Sequence, residues 1–420
     1  MKIIKKLLIS VISISLAGVF LFINGCFLKY DYASAKVSYD KIPYDAANEA
    51  MLSSELENDA FLAFSSDLLS YVKDGDNGLL SPYSAYMALA LTINGASGDT
   101  LSQMEQVLGL SRDKINIFAA NLYSKYVERS TFNDYILTAD SVWSNATEKA
   151  PLKSFLETIC KYYGTEVYSL DFSQNETLKA INDWIATKTN GRIKDMLNSI
   201  PSDALMYLIN TLFFKSDWTE QYVLAQKGLS FSSLSGSKNN VDCFSASTRT
   251  YYSTNDFDGF SLPYKAPGIS FIGMLPKKGN VDPASLLNKD RLKEFISSRS
   301  AANVSVKIPC FNYDYEADLT TFYSTSNRMP LAFNKQLANF SEMYDLSEFN
   351  VYISKVFQKT TIKLDNFGTS AAAATYVEMS KTTSVGPTSE IRIELNRPFV
   401  YMILDEASNI PLFIGKVNSL

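Results

Sequence analysis

The chain has 420 residues, of which 46% are hydrophobic and 20% charged, so it can form one large globular domain or two to three smaller ones. It contains 4 Cys and no His. Without an imidazole there is no self-contained Ser-His-Asp or Cys-His mechanism, no His-ligated zinc and no His-based pH switch. The net charge of −5 argues against a nucleic-acid-binding surface, which needs a basic patch.

The first 26 residues have the pattern of a secretory signal. Three lysines within the first six residues precede an apolar run over residues 7–23, and Cys26 follows shortly after it. This arrangement resembles a bacterial lipobox, in which Cys26 carries the lipid and becomes the first residue of the exported protein. A single transmembrane anchor is the alternative. Both readings predict export, with residues 27–54 as a tether and residues 55–420 as the folded domain.

Three further cysteines, Cys160, Cys243 and Cys310, are widely spaced, and the chain has no CxxC motif. An odd number at such spacing is not a disulfide framework. The pattern favours buried free thiols. The sequence therefore predicts no metal site and no cofactor.

Two helices are predicted at the start of the domain. Apolar residues at helical spacing from Phe61 to Val72 indicate the first, which residues 74–78 close. Ser81 and Pro82 start the second, because Pro is tolerated in the first turn of a helix.

Strands are predicted mostly later in the chain, at residues 205–214, 269–275, 304–308, 360–364, 399–404 and 412–417. Several of these segments are continuous apolar runs, which are typical of strands buried on both faces. No repeat or linker interrupts residues 55–420. The order of elements predicts one α+β domain.

A stretch of small residues, 368–375, interrupts this pattern and is followed by residues 376–391, which show little periodicity. Together they predict a loop of roughly 25 residues between two strands, and loops of this length are usually functional or disordered. A short helix is the alternative for the four alanines at 371–374, because Ala is the best helix former.

Several segments, in order and at the right spacing, resemble the serpin family over nearly all of residues 58–420. The most specific is the run IELNRPFVYMI at residues 393–403, which fits the family signature at every position. The other matching segments are residues 77–82, 95–96 with Thr100, 182–185, 189–193, 210–215 with Trp218, and 411–417.

The resemblance implies a serpin fold, α+β, with three β-sheets, about nine helices and an exposed reactive-centre loop at about residues 366–391. It also implies a function that is inhibitory and not enzymatic. A serine protease cuts the loop and is held as an acyl-enzyme while the cut loop inserts into the central sheet.

The hinge that the resemblance implies suits such an insertion. Alternate residues of a strand face the same side, and none of the residues on either face here is charged or large. Gly368 would supply a flexible pivot. This composition predicts an inhibitory serpin. The hinge residues are Gly368, Thr369, Ala371, Ala372, Ala373, Ala374 and Thr375.

Counting from Gly368 at family spacing places the scissile bond between Thr382 and Thr383. The alternatives are cuts after Lys381 and after Met379. Thr or Met before the cut would suit an elastase-like or subtilisin-like protease, whereas Lys381 would suit a trypsin-like pocket with a buried carboxylate.

One departure from the family concerns the top of the central sheet. The family's Glu before the hinge is Asn366 here, and the Lys that pairs with it corresponds to Cys310. Since both partners are replaced, no charge is left unpaired. We expect the top of the sheet to be held differently.

A second departure concerns the hydrogen-bonded cluster under the sheet. Ser81, Ser84 and Asn210 match the family, and Gln358 stands where His is usual. A Gln amide both donates and accepts, so it would close the network without titrating.

Three functions remain open at this point. The first is a monomeric inhibitor of extracellular serine proteases, lipid-anchored on the outer face of a bacterial cell membrane or released. The second is a non-inhibitory serpin that serves as a binding or scaffold protein. The third is a lipoprotein that captures small solutes, which the C-terminal signature opposes. An enzyme with turnover has the least support, because there is no nucleophile–base pair and no phosphate-binding Gly loop.

Overall fold

The computed structural model describes residues 55–420 except 74, 128–134, 192, 202–203, 280 and 370–389. Over these residues the chain forms eight α-helices, sixteen strands and three sheets. The helices are α1 (Glu55–Leu69), α2 (Pro82–Thr92), α3 (Gly98–Leu108), α4 (Arg112–Val127), α5 (Lys153–Tyr163), α6 (Asn175–Lys188), α7 (Lys289–Ser297) and α8 (Thr320–Tyr323). The strands are β1 (Gly78–Leu80), β2 (Tyr135–Asn145), β3 (Glu166–Leu170), β4 (Met206–Asp217), β5 (Leu229–Ser232), β6 (Lys238–Val241), β7 (Cys243–Ser253), β8 (Phe257–Pro263), β9 (Ile269–Pro276), β10 (Ser300–Pro309), β11 (Phe311–Asp318), β12 (Phe357–Leu364), β13 (Gly368–Thr369), β14 (Ile391–Glu394), β15 (Phe399–Asp405) and β16 (Ile410–Val417).

Both predicted helices at the start of the domain are present, as α1 and α2. The Ser81 side chain caps α2 by accepting a hydrogen bond from the Ser84 N–H at 3.0 Å, and Pro82 occupies the first turn. Most residues of α2 are buried. A helix that is apolar on all sides belongs in the interior, and α2 packs on β4.

All six predicted strands are also present, within β4, β9, β10, β12, β15 and β16. The largest sheet has the order β1-β16-β15-β9-β8-β7-β10-β14. β9, β15 and β16 are buried at every residue, as their apolar runs predict. β15 pairs antiparallel with both β9 and β16. These three strands, buried on both faces, therefore lie in an antiparallel part of the sheet.

The six-stranded sheet has the order β11-β12-β13-β4-β2-β3 and separates two cores. One face of β2 and β4 carries Ile136 and Leu212 into the main core. The other face carries Trp143 and Ile209 into a second core with Trp184 of α6. The sheet is therefore covered by α2 on one side and by α6 on the other.

Free thiols are confirmed at Cys160, Cys243 and Cys310. Cys243 is fully buried, whereas Cys160 and Cys310 are only partly buried, which corrects part of the prediction. Within the described ranges, no helix is long and apolar enough to cross a membrane. The same ranges hold no group of three or more His, Cys, Asp or Glu side chains that could hold a metal ion.

A buried ion pair fixes the last strand. The Nζ atom of Lys416, in β16, is 2.6 Å from a carboxylate oxygen of Asp282, and the Lys416 side chain is fully buried. The Asn418 amide and the Gly75 N–H donate to the same oxygen at 3.0 and 3.2 Å. These hydrogen bonds replace much of the water that the carboxylate loses on burial.

Lys416→Met is expected to lower the free energy of unfolding by about 3–5 kcal/mol, because it leaves the Asp282 carboxylate buried without a cation. Urea unfolding followed by circular dichroism measures this. Lys153→Met is the control, since its pair with Glu157 is exposed and such pairs contribute less than about 1 kcal/mol. Equal losses in the two variants would contradict the prediction.

Candidate functional site

The six-stranded sheet is split between β4 and β12. Over the described residues no ladder joins these two strands, and only the two residues of β13 lie between them. Gly368 pairs with Asp217 and Thr369 with Ser216 on one side, and Thr369 pairs with Leu364 on the other. The first two hinge residues therefore form a strand at the top of the gap. We call this gap the slot.

Three cavities follow one another down the slot from Thr369. The first, of about 20 Å³, lies between Phe214 and Ile362. The second, also about 20 Å³, includes the four cluster residues Ser81, Ser84, Asn210 and Gln358 in its lining. The third, of about 530 Å³, lies at the start of β4 and beside residues 349–358. Unfilled space therefore lies at three places along the slot, and most of it lies at the start of β4.

Aromatic residues hold the hinge at the top of the slot. The Tyr264 hydroxyl is hydrogen bonded to the Thr369 hydroxyl, and the Tyr264 ring stacks on Trp218 at 4.4 Å. Trp218 donates its indole N–H to the Asp365 carbonyl and its backbone N–H to the Phe367 carbonyl, both at 2.9 Å. Burial raises the pKa of Tyr264, so its hydroxyl stays protonated.

Gly368 has a steric role that its sequence did not reveal. A Cβ at this position would lie 2.2 Å from the Ser216 carbonyl oxygen and 2.7 Å from the Asp217 Cα. Its φ angle of 156° is one that other residues rarely adopt. The backbone of β13 touches β4 so closely that only glycine fits.

At positions 366 and 310 the top of the sheet carries neutral groups, in line with the expectation from the sequence. The buried Asn366 donates its side-chain N–H to the Tyr222 carbonyl at 2.9 Å. Burial, with smaller contributions from Asp365 and Asp242, raises the pKa of Cys310 to about 12, and a backbone hydrogen bond from Asn366 partly offsets this. The Cys310 thiol is therefore neutral.

Asn366→Glu is expected to lower the free energy of unfolding by about 1–3 kcal/mol, because a carboxylate cannot donate to the Tyr222 carbonyl. Thermal unfolding measures the loss. Adding Cys310→Lys should recover it, since the new cation would lie near Glu at 366. An unchanged unfolding temperature and unchanged inhibition in Asn366→Glu would show that this contact does not hold the top of the sheet.

The four predicted cluster residues line one cavity, but they do not form one network. The Ser81 N–H donates to Gln358 Oε1 at 2.8 Å, and Gln358 Nε2 donates to the Ser81 carbonyl at 2.9 Å. Ser81 Oγ donates to the Leu412 carbonyl at 2.9 Å. The Gln358 amide thus both accepts and donates, as the sequence predicts, but both of its hydrogen bonds go to the Ser81 backbone and it does not connect to Asn210.

Asn210 contacts a residue that the sequence analysis missed. Its Nδ2 donates to Oδ1 of Asp140 at 3.0 Å, and Asp140 is its register partner on β2. Both side chains are buried. The sequence could have indicated Asp140 as an acidic residue facing the core. That required residues 135–145 to be recognised as a strand, and they were not predicted as one.

The remaining predicted site residues lie outside the described residues. They are Cys26, Ala371, Ala372, Ala373, Ala374, Thr375, Met379, Lys381, Thr382 and Thr383.

A central sheet that is open between β4 and β12, with only Gly368 and Thr369 of the described residues paired in the gap, defines a class of proteins that can take up an extra strand. The family model described as Serpin (serine protease inhibitor) matches residues 59–420, and the chain belongs to the serpin family. The predicted family and fold are confirmed. Serine protease inhibition is the family's general function, although some serpins are non-inhibitory.

Individual relatives are similar to this protein over most of its chain. It is 30% identical to Serpin B8 of Homo sapiens over 372 residues, which are 85% of this chain and 97% of that protein. It is 28% identical to Serpin B10 of Bos taurus over 382 residues, 82% and 93% of the two chains. The native state of the thermophilic serpin tengpin superposes with a TM-score of 0.77 at 30% identity, covering 93% of this chain and 99% of tengpin.

Proposed function

We propose that the protein inhibits extracellular serine proteases as a suicide substrate, through cleavage and insertion of its reactive-centre loop. The pairing of Gly368 and Thr369 with β4, and of Thr369 also with β12, carries this proposal. A loop whose first residues already form a strand between β4 and β12 extends by adding residues to existing ladders. No new nucleation is needed.

Extending the register of β13 gives each inward hinge residue a defined position. In an antiparallel ladder, each step of one residue on one strand is matched by a step back on its partner. The projected neighbours on β4 and β12 are Phe214 and Ile362 for Ala371, Leu212 and Thr360 for Ala373, and Asn210 and Gln358 for Thr375.

The composition of the hinge suits these positions. The first two cavities have volumes of about 20 Å³ each, so a long side chain would have to force the strands apart. Ala371 and Ala373 require the least opening. The Thr375 hydroxyl would lie beside the amides of Asn210 and Gln358, where it could donate and accept hydrogen bonds.

Cleavage between Thr382 and Thr383 supplies the covalent link. The serine Oγ of the protease attacks the carbonyl carbon of Thr382, the peptide bond breaks, and Thr383 leaves as the protonated new amino terminus. An ester then joins Thr382 to the protease. Insertion down to residue 382 would carry this ester roughly 40 Å along the sheet, at about 3.3 Å per residue.

The energy for this movement comes from the new ladders, at roughly 0.5–1.5 kcal/mol for each hydrogen bond. The uncut protein is then a kinetic trap, whose lifetime is set by a barrier. The proposal also includes a lipid anchor at Cys26, with residues 27–54 as a tether, on the outer face of a bacterial cell membrane or followed by release. One monomer would trap one protease, without a cofactor or nucleic acid.

The test uses the chain without residues 1–26, incubated with an elastase-like, a subtilisin-like and a trypsin-like protease. We expect a band that resists boiling in SDS, at the summed mass, and a released peptide that starts at Thr383. A peptide starting at Thr382 would make Lys381 the specificity residue, and one starting at Ser380 would select Met379. Complete cleavage without a complex for every protease would leave the binding or scaffold role.

A further inference from the structure

Asp140 and Asn210 form a buried pair across β2 and β4 that leaves two oxygens without a partner. Asn210 Nδ2 donates to Asp140 Oδ1 at 3.0 Å. Asp140 Oδ2 and Asn210 Oδ1 are both buried and receive no hydrogen bond. Two acceptors on facing groups cannot satisfy each other, and leaving both unpaired is unfavourable.

One proton on Asp140 removes both deficits. A protonated carboxyl is a donor as well as an acceptor, so Oδ2–H can donate to Asn210 Oδ1 while Asn210 Nδ2–H donates to Oδ1. We propose that Asp140 is protonated in the native protein and is a positioning residue of the slot, which holds Asn210 through this acid–amide pair. Loss of the proton breaks the Oδ2–H bond to Asn210 Oδ1 and leaves the pair joined by one hydrogen bond, which loosens the β4 side of the slot.

The surroundings favour the neutral form. Among the described residues, the phenols on which the charge of Asp140 acts are those of Tyr83 from α2, Tyr123 from α4 and Tyr163 from α5. Burial raises the pKa of each phenol, and the charge of Asp140 adds to the rise, so all three are neutral near pH 7. Glu166 of β3, with its partner Lys188, is the register neighbour of Ser141 and therefore lies on the opposite face.

Titration of Asp140 falls in the physiological range. Burial raises its pKa to about 7, and the hydrogen bond from Asn210, a smaller effect, acts in the opposite direction. Because the pKa in the folded state is raised, the folded state is most stable below the unfolded-state pKa near 4 and loses that stability as pH rises to about 7. The chain has no His, so no imidazole titration overlaps this window.

The pair matters for function because Asn210 lines the second and third cavities of the slot. In the projected register it is also the β4 neighbour of Thr375. The link to loop insertion rests on the proposed function, whereas the acid–amide pair does not. Insertion should be faster above pH 7 than below it.

The first experiment compares the full chain, in mild detergent, with Asp140→Asn. The infrared carboxyl band of the wild-type protein should include a component that is lost in the variant and disappears as pH rises through about 7. Between pH 5.5 and 8.5 the wild-type unfolding equilibrium constant should rise by on the order of thirtyfold, and that of Asp140→Asn should stay nearly constant. The variant carries an amide that cannot ionise.

Two further variants test whether Asp140 acts through its hydrogen bonds to Asn210 or only as a buried carboxyl group. Asn210→Ala removes both hydrogen bonds of the acid–amide pair, so the infrared carboxyl band assigned to Asp140 should move to higher wavenumber. Asp405→Asn alters another buried carboxylate, which accepts from Tyr126 at 2.9 Å, and should keep the wild-type pH step. Absence of the carboxyl band at pH 6, or an identical pH step in Asp140→Asn, would overturn the proposal.

The rate of covalent trapping measured at each pH tests the link to insertion. A rise through pH 7 in the wild type that Asp140→Asn lacks supports it, and equal profiles overturn the slot role. Failure of both proteins to form any complex would count against the proposed function. The infrared and unfolding data would still decide the acid–amide pair.

Discussion

Ala371→Glu should convert the protein from an inhibitor into a substrate of its target protease. In the projected register, residue 371 faces the core between Phe214 and Ile362, whose exposures are 5% and 3%. A carboxylate there would be buried without a cation, at an effective cost of several kcal/mol. Insertion would then be slower than hydrolysis of the acyl-enzyme. We expect the fraction of protease trapped per cleavage to fall at least tenfold, as an order-of-magnitude estimate from this cost.

Ser370→Glu is the matched control, because it places the same charge one residue earlier and on the opposite face. Its projected neighbours are Lys215 on β4 and Lys363 on β12, so a carboxylate there would gain cations. Titration of each variant against a fixed amount of protease, with densitometry of complex and cleaved bands, gives the trapped fraction. Equal loss in both variants would refute the inward–outward register, and so would no loss in either.

Helices and strands that have a clear pattern in their own residues could be predicted from the sequence. The strands β9, β15 and β16 are continuous apolar runs, and the Ser81-Pro82 start of α2 is a local capping signal. The missed strands depend on their neighbours. β11 alternates acidic and aromatic residues, and its Glu316 is stabilised by Lys359 across the ladder at 3.0 Å. Such a partner is not visible until the pairing is known.

The same distinction applies to the site. The small hinge residues and the cluster residues are visible in the sequence, because their types and spacing carry the information. The residues that act on them lie far away along the chain. Tyr264 is 105 residues from Thr369, and Asp140 is 70 residues from Asn210. Asp140 also lies in a strand with several polar residues, so the apolar pattern of that strand is weak.

Gly368→Ala should lower the stability of the native protein and abolish inhibition. The clashing atoms, Ser216 O and Asp217 Cα, belong to the backbone of β4, so no side-chain rotation relieves the contact. The β13 residues would have to leave the ladder, with loss of the hydrogen bond between Thr369 and Tyr264. We expect a loss of about 1–3 kcal/mol in the free energy of unfolding. Inhibition should also fail, because residue 368 keeps its place beside Asp217 in the inserted strand.

The sign of the stability change separates two roles for this glycine. A flexible pivot predicts that Gly368→Ala stabilises the protein by roughly 0.4–1 kcal/mol, because Ala reduces the conformational freedom of the unfolded chain. The steric role predicts destabilisation. Gly279→Ala is the control, since its added Cβ would come no closer than 4.0 Å to Arg397. Urea unfolding of the three proteins, followed by the SDS-resistant band assay, measures both effects. A stabilised Gly368→Ala that still traps protease would establish the pivot and remove the steric requirement at the top of the slot.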